Sequence, residues 1–221
     1  MVIHTVGDSH SYNGWDALPN IITHHLGPRL CFSIGRDGID LRKFYDDNDI
    51  VNLNNGIVDS RKLNDILGLG KVNEGDTVVF CFGEIDCRCH IHKYVSEDRN
   101  YKDIINNIVD NYFIQIKKAV DTFTSLQTAV YNVVPPVKKE YIVENEEYPQ
   151  LGTDEERKQY VVYFNEKLKH NCIEYGYIFV DVYDKYTDED GFLNKLLSDG
   201  TVHIRDASHI KSFIDANFIS S

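Results

Sequence analysis

The stretch TVVFCFGEIDCR, residues 77–88, decides how this chain is read. Its first half is an unbroken apolar run of strand length, with none of the polar alternation of a half-exposed strand. Such a run belongs to a strand buried on both faces, as in a parallel sheet covered by helices. At Gly83 the composition turns polar, so the strand delivers Glu84, Asp86 and Arg88 into a loop at its carboxyl end.

Beyond this strand, Tyr101 to Phe123 carries Ile104, Ile105, Ile108, Tyr112, Ile116, Ala119, Val120 and Phe123 mostly at spacings of three and four. That is the stripe of an amphipathic helix. Thr128 to Val134 reads as the next buried strand, ended by Pro135-Pro136, and a charged loop follows from Lys138 to Gln150. Thr153 with Glu156 is the pattern of a capping box, opening a helix that runs to about Tyr175 and stops at Gly176. Tyr177 to Val182 is a further strand, and Phe213 to Phe218 a closing helix.

Towards the amino terminus, Val2 to Val6 is a short apolar strand that ends in Gly7-Asp8-Ser9-His10. Leu18, Ile21, Ile22 and His25-Leu26 approximate a helical stripe halted by Gly27-Pro28. Arg29 to Ile34 reads as a second strand, closed by Gly35-Arg36-Asp37-Gly38. Asp46 to Gly56 has loop composition, and Arg61 to Leu67 suits a short helix with Gly68, Gly70 and Gly75 as exit turns. Strands alternating with helices, without repeats or low-complexity linkers, predict a single α/β domain over residues 1–221 with a mostly parallel sheet. Sites in such sheets form in loops beyond the carboxyl ends of the strands.

Composition narrows the function. A formal net charge of −12 argues against a nucleic-acid partner and against anionic membranes. No apolar run approaches the ~18 residues of a membrane span, and no signal peptide opens the sequence. Five cysteines, an odd number without framework spacing, fit reduced buried thiols and a cytoplasmic location.

Polar, chemically capable residues gather in the loops Gly7-Asp8-Ser9-His10, Gly35-Arg36-Asp37-Gly38, Gly83 to Arg88, and Ser198 to His209. In this order they resemble the sequence blocks of the SGNH/GDSL hydrolases. Gly7-Asp8-Ser9 is similar to the block that supplies the nucleophilic serine, and Gly35 stands where the family places an oxyanion glycine. GEID at 83–86 occupies the place of Gly-x-Asn-Asp, and GFLNKLLSDGTVHI at 191–204 is similar to the block that ends in an Asp and a His.

The resemblance implies a flavodoxin-like, three-layer α/β/α fold and a serine esterase. Its substrate class would be an acyl ester, such as an acetylated carbohydrate or another small molecule, with no cofactor and no metal. Ser9 would attack the acyl carbon, with His203 as base and Asp199 orienting it. The family spaces the last two as D-x-x-H, whereas DGTVH adds a residue. Asp206 with His209 keeps the usual interval and is the alternative pair. Ile85 replaces the oxyanion asparagine, and loss of one such donor costs ~3 kcal/mol of transition-state stabilisation. Arg88 is the substitute the sequence offers. Asp86 and His10 complete the expected substrate-binding set.

Two other readings stand beside this one. The altered asparagine and Asp–His interval would suit a catalytically silent domain that binds a glycan or protein. Cys87-Arg88-Cys89-His90-Ile91-His92 concentrates metal-ligand chemistry, although its spacing departs from zinc motifs and no second pair lies elsewhere.

Overall fold

The computed structural model describes residues 2–41, 71–143 and 145–218. The loop read at Asp46–Gly56 and the helix read at Arg61–Leu67, with Gly68 and Gly70, lie outside the described residues.

Strands β1 (Ile3–Gly7), β2 (Ile21–His25), β3 (Thr77–Cys81), β4 (Gln127–Tyr131) and β5 (Ile178–Val180) form one sheet in the order β2-β1-β3-β4-β5. All the pairings are parallel, with Ile3 opposite both Ile21 and Thr77, Thr77 opposite Gln127, and Ala129 opposite Ile178. This is the strand order of a flavodoxin-like sheet.

Alternate residues of the strands feed two cores. Val6, Val78, Phe80 and Val130 face the helices α1 (Cys31–Asp37), α2 (Tyr101–Val120) and α3 (Asp154–Tyr175), meeting Ile34, Ile105, Tyr112 and Phe164. Ile3, Val79, Cys81, Ala129 and Tyr131 face the other way. They meet Trp15, Tyr186 of the short α4 (Tyr183–Tyr186), and Ile210 and Ile214 of α5 (Ser208–Asn217). Burying a side chain of Phe80's size contributes roughly 2 kcal/mol, and a sheet covered on both sides collects such terms from every strand residue. The three-layer α/β/α architecture follows.

The long helices keep their predicted starts; α3 also keeps its stop, whereas α2 ends at Val120, three residues before Phe123. The Asn100 side chain caps α2, Thr153 and Glu156 form the reciprocal box that opens α3, and Gly176 closes it. Among the described residues no helix is long and apolar enough to cross a membrane.

Two elements near the amino terminus differ from the reading of the sequence. Ile21 to His25 is an edge strand rather than the end of a helix. Its polar residues point inward: His24 and Thr23 are buried, and the His24 Nε2 lies 3.0 Å from His4 Nδ1, whose ring continues to Asp76 at 3.3 Å. Buried imidazoles conceal the alternation on which strand recognition depends. Cys31 to Asp37 is a helix rather than a strand. Its N-cap residue, Leu30, offers no capping side chain, and the carboxylate of Asp86 does that work from elsewhere. Asp86 accepts from Cys31 N at 2.6 Å and Phe32 N at 3.3 Å. A cap supplied from a distant loop leaves no local trace.

Candidate active site

The loop after β1 is held against β3, the central strand of the sheet. A Cβ on Gly7 would stand 2.0 Å from the Cys81 carbonyl oxygen, so only glycine lets β1 run this close to β3. Asp8 N–H then bonds that carbonyl at 3.3 Å, and its buried carboxylate accepts from His10 N at 2.8 Å to cap a 3₁₀ turn over Ser9–Ser11. The Ser9 carbonyl accepts from Tyr12 N, Asn13 N and Asn13 Nδ2 at 2.8–3.2 Å. With the carbonyl fixed threefold, the Ser9 side chain and N–H are left facing outward. That N–H makes no hydrogen bond among the described residues.

The partner loop closes on itself by an antiparallel bridge between Ser198 and Ile204 and by Asp199 N to His203 O at 3.1 Å. Gly200 turns it with φ of +92°, a backbone conformation that side chains disfavour. This geometry brings His203 Nε2 to 2.8 Å from Ser9 Oγ. On the other side of the ring, Nδ1 lies 2.9 Å from Thr201 Oγ1 and 3.4 Å from Asp199 Oδ2. Thr201 Oγ1 in turn lies 2.7 Å from Asp199 Oδ1. A hydroxyl has one proton to give. Since a carboxylate can only accept, Thr201 donates to Asp199 and accepts from His203 Nδ1–H. Nε2 is therefore the free base, pointed at the serine. The residue that lengthens DGTVH beyond D-x-x-H has a place here: Thr201 stands between acid and base.

The alternative pair is committed elsewhere. Asp206 accepts from Ser208 N at 2.8 Å at the start of α5, and the His209 ring sits edge-on to Tyr186 with centroids 5.3 Å apart.

His10 lies under the serine, buried, with its ring centroid 4.9 Å from that of His203. Its Nδ1 is 3.0 Å from Asp8 Oδ1 and its Nε2 3.2 Å from the Val202 carbonyl. Both partners accept only, so both ring nitrogens carry protons and the ring is an imidazolium. Burial works against that charge, but the Asp8 carboxylate holds the His10 pKa above its ordinary value. His203 moves the other way. Burial, and then the charge of His10, push it down to about 4 against the pull of Asp199. His203 is thus neutral at pH 7, the form a base requires.

The loop after β3 is built differently. Gly83 leads into a π-helical turn over Asp86–His90. Arg88 does not face the serine as an oxyanion donor. Its Nε and Nη2 donate to Glu84 at 2.6 and 3.0 Å, and its Nη1 donates to the Tyr148 carbonyl. Both charges are nearly buried, with side chains 13% and 9% exposed, so a partner is obligatory for each. Burial opposes the Glu84 charge, yet Arg88, and beyond it His10 and His203, keep its pKa below the ordinary value. Asp86 is fully buried against the start of α1 and is not a substrate contact; burial raises its pKa to about 7. Ile85 is buried as well.

Gly35 sits in the body of α1, where an N–H is engaged by the helix itself. A Cβ there would meet Asn111 Cβ at 2.9 Å, so this glycine serves the contact between α1 and α2, not an oxyanion. With Gly35 and Arg88 engaged in this way, the Ser9 N–H is the uncommitted donor left beside the nucleophile among the described residues.

In the cysteine–histidine segment, Cys87 and Cys89 are buried free thiols, the His90 ring lies tilted between those of Phe32 and Tyr94, and His92 bonds Tyr160 at 3.1 Å. Among the described residues no three His, Cys, Asp or Glu side chains are grouped to hold a metal ion. Sequence reasoning missed Glu84 and Thr201. The i,i+4 spacing of Glu84 and Arg88 was the available signal for the first. For the second it was the surplus position between Asp199 and His203.

No protein-family model matches this chain, and no curated protein matches it in sequence. Solved structures do. A GDSL-like lipase from Bacteroides thetaiotaomicron superposes with a TM-score of 0.55 at 11% identity, covering 97% of this chain and 86% of its own. A member of the lipolytic protein G-D-S-L family from Veillonella parvula gives a TM-score of 0.55 at 11% identity, with 100% of both chains covered. Identity this low speaks for the fold. The chemistry rests on the residues.

Proposed function

On the scaffold of an SGNH/GDSL hydrolase, we propose that this protein is a serine esterase acting on an acyl ester of a carbohydrate or another small molecule. The observation that carries the reading is the 2.8 Å approach of His203 Nε2 to Ser9 Oγ, with Nδ1 tied through Thr201 to Asp199. Ser9 Oγ forms a bond to the acyl carbon as its proton passes to His203 Nε2. The carbonyl π electrons move onto oxygen, beside the Ser9 N–H. Collapse of this intermediate expels the alcohol, which takes the proton from His203 and leaves an acyl-serine. A water molecule, deprotonated by the same nitrogen, then releases the acid and restores Ser9.

The positive charge of His10 favours the developing oxyanion electrostatically, since both of its N–H groups are already engaged. That charge also opposes protonation of His203. The two effects oppose each other in the attack step, where the oxyanion and the His203 imidazolium form together.

A second reading has a specific basis. With Gly35 and Arg88 committed elsewhere, a single identified N–H faces the oxyanion position, which suits a binding domain that retains the loop and has lost turnover. A fluorophosphonate probe separates the two. The esterase labels at Ser9, and Ser9→Ala abolishes both labelling and hydrolysis of p-nitrophenyl acetate. Wild-type protein that neither labels nor turns over at neutral pH would falsify the enzyme.

A further inference from the structure

Towards the carboxyl edge of the sheet, α1, the turn after β3 and α2 enclose a groove of about 380 Å³. Its volume falls within the range of small-molecule sites. Its lining is unusual for this protein. The chain carries 35 Asp and Glu against 23 Lys and Arg, yet Arg36 and Arg99 line the groove and no carboxylate does. Neither arginine forms an ion pair among the described residues. In an acidic protein, two cations left without carboxylates in one concavity are cations kept for a ligand.

The groove also has an aromatic wall. The Phe32 and His90 rings lie 4.7 Å apart, and His90 and Tyr94 lie 4.7 Å apart. Phe32 is 38% exposed and Tyr94 45%, so ring surface of this tilted cluster remains open. Arg36 reaches over Phe32 at 4.9 Å, which places its guanidinium at the rim of the same wall. Burial, then Lys93 and Arg36, hold His90 below its ordinary pKa, leaving it neutral at pH 7 and the arginines as the charge. The amides of Asn107 and Asn111 complete the opposite side with exposed hydrogen-bonding groups. Open ring faces suit the apolar face of a pyranose, amides suit its hydroxyls, and guanidinium groups suit a carboxylate or phosphate.

We propose that this groove is a subsite for an anionic sugar, its ring against Phe32 and Tyr94 and its acidic group between Arg36 and Arg99. The assignment rests on the esterase reading for its meaning, because the bound sugar would be part of the ester presented to Ser9. It does not rest on that reading for its test. Asp86 joins the two sides of the ring wall: it caps α1 at Phe32 and opens the turn that carries His90.

Binding is measured by calorimetry on the full chain carrying Ser9→Ala, so that no turnover is needed. The probes are a galacturonate trisaccharide, glucose 6-phosphate and a neutral trisaccharide of glucose. One of the two anionic probes binds, weakens as salt is raised, and loses at least tenfold in affinity when Arg36→Gln and Arg99→Gln are added. Which anion binds distinguishes carboxylate from phosphate. Unchanged melting of the triple variant shows that the loss is local, and Phe32→Ala gives an independent loss through the ring wall. Equal binding of the neutral trisaccharide, no binding of either anion, or affinity indifferent to both arginines overturns the subsite. Failure of the esterase reading shows separately, as p-nitrophenyl acetate turnover that survives Ser9→Ala.

Discussion

The loops after β1 and β3 leave neighbouring strands at the same edge of the sheet, and they spend their polar groups in opposite ways. In the first, Asp8 and the Ser9 carbonyl absorb the local donors, so that the Ser9 hydroxyl and N–H remain for an external partner. In the second, Glu84, Asp86 and Arg88 are matched with one another, with the Tyr148 carbonyl and with the first turn of α1. One loop reserves its chemistry, and the other is scaffolding made of charged residues. Residue type alone does not separate them, because a carboxylate or guanidinium becomes a framework part once burial obliges it to find a partner.

Four predictions sharpen or break this contrast. The largest effect is expected at His203→Ala, where p-nitrophenyl acetate turnover falls on the order of 10⁴-fold. His209→Ala keeps the wild-type rate, and the reverse result would move the base to α5. Arg88→Met comes next, through stability: Glu84 is left buried without its partner, at a cost of about 3 kcal/mol in urea unfolding. An unchanged unfolding midpoint with lost turnover would return Arg88 to the substrate side.

Thr201→Val removes the hydroxyl between Asp199 and His203; the hydrogen bond lost to His203 is of roughly 1 kcal/mol, so kcat falls about fivefold. Thr201→Ser restores it, whereas equal rates in all three proteins would mean that Asp199 orients His203 alone. The smallest effect is a shift in the pH profile. His203 gains its proton as the pH falls through about 4, and kcat/KM drops with it. His10→Asn removes the adjacent positive charge and makes that protonation easier, so the acid limb moves up. Burial remains, and the limb stays below 6.5, the ordinary value for histidine. A limb that does not move removes His10 from the electrostatics of the base.

The parts of the molecule legible in the sequence are those whose causes are local. Buried strands such as Thr77–Cys81, the stripe of α2, and the Thr153–Glu156 box all carry their reason within a few residues. Gly7-Asp8-Ser9 and Asp199 to His203 are short turns at strand and bridge ends, and their residue types name their chemistry. What escaped depended on distant partners. The helix at Cys31–Asp37 is capped from Asp86, β2 hides its alternation behind His24 and His4, and Arg88 is claimed by Tyr148 from 60 residues away. Gly35 follows its element: with α1 a helix, its N–H has no freedom to meet a substrate.

The Thr201 bridge also has a spectroscopic consequence. When a carboxylate takes the Nδ1 proton of a histidine directly, the shared proton is strongly deshielded and resonates far downfield of ordinary imidazole N–H signals. Here that proton faces a hydroxyl at 2.9 Å, with the carboxylate at 3.4 Å. Its resonance belongs nearer the ordinary imidazole range. Shortening the loop by deletion of Thr201 would carry the signal downfield as the acid closes on the ring.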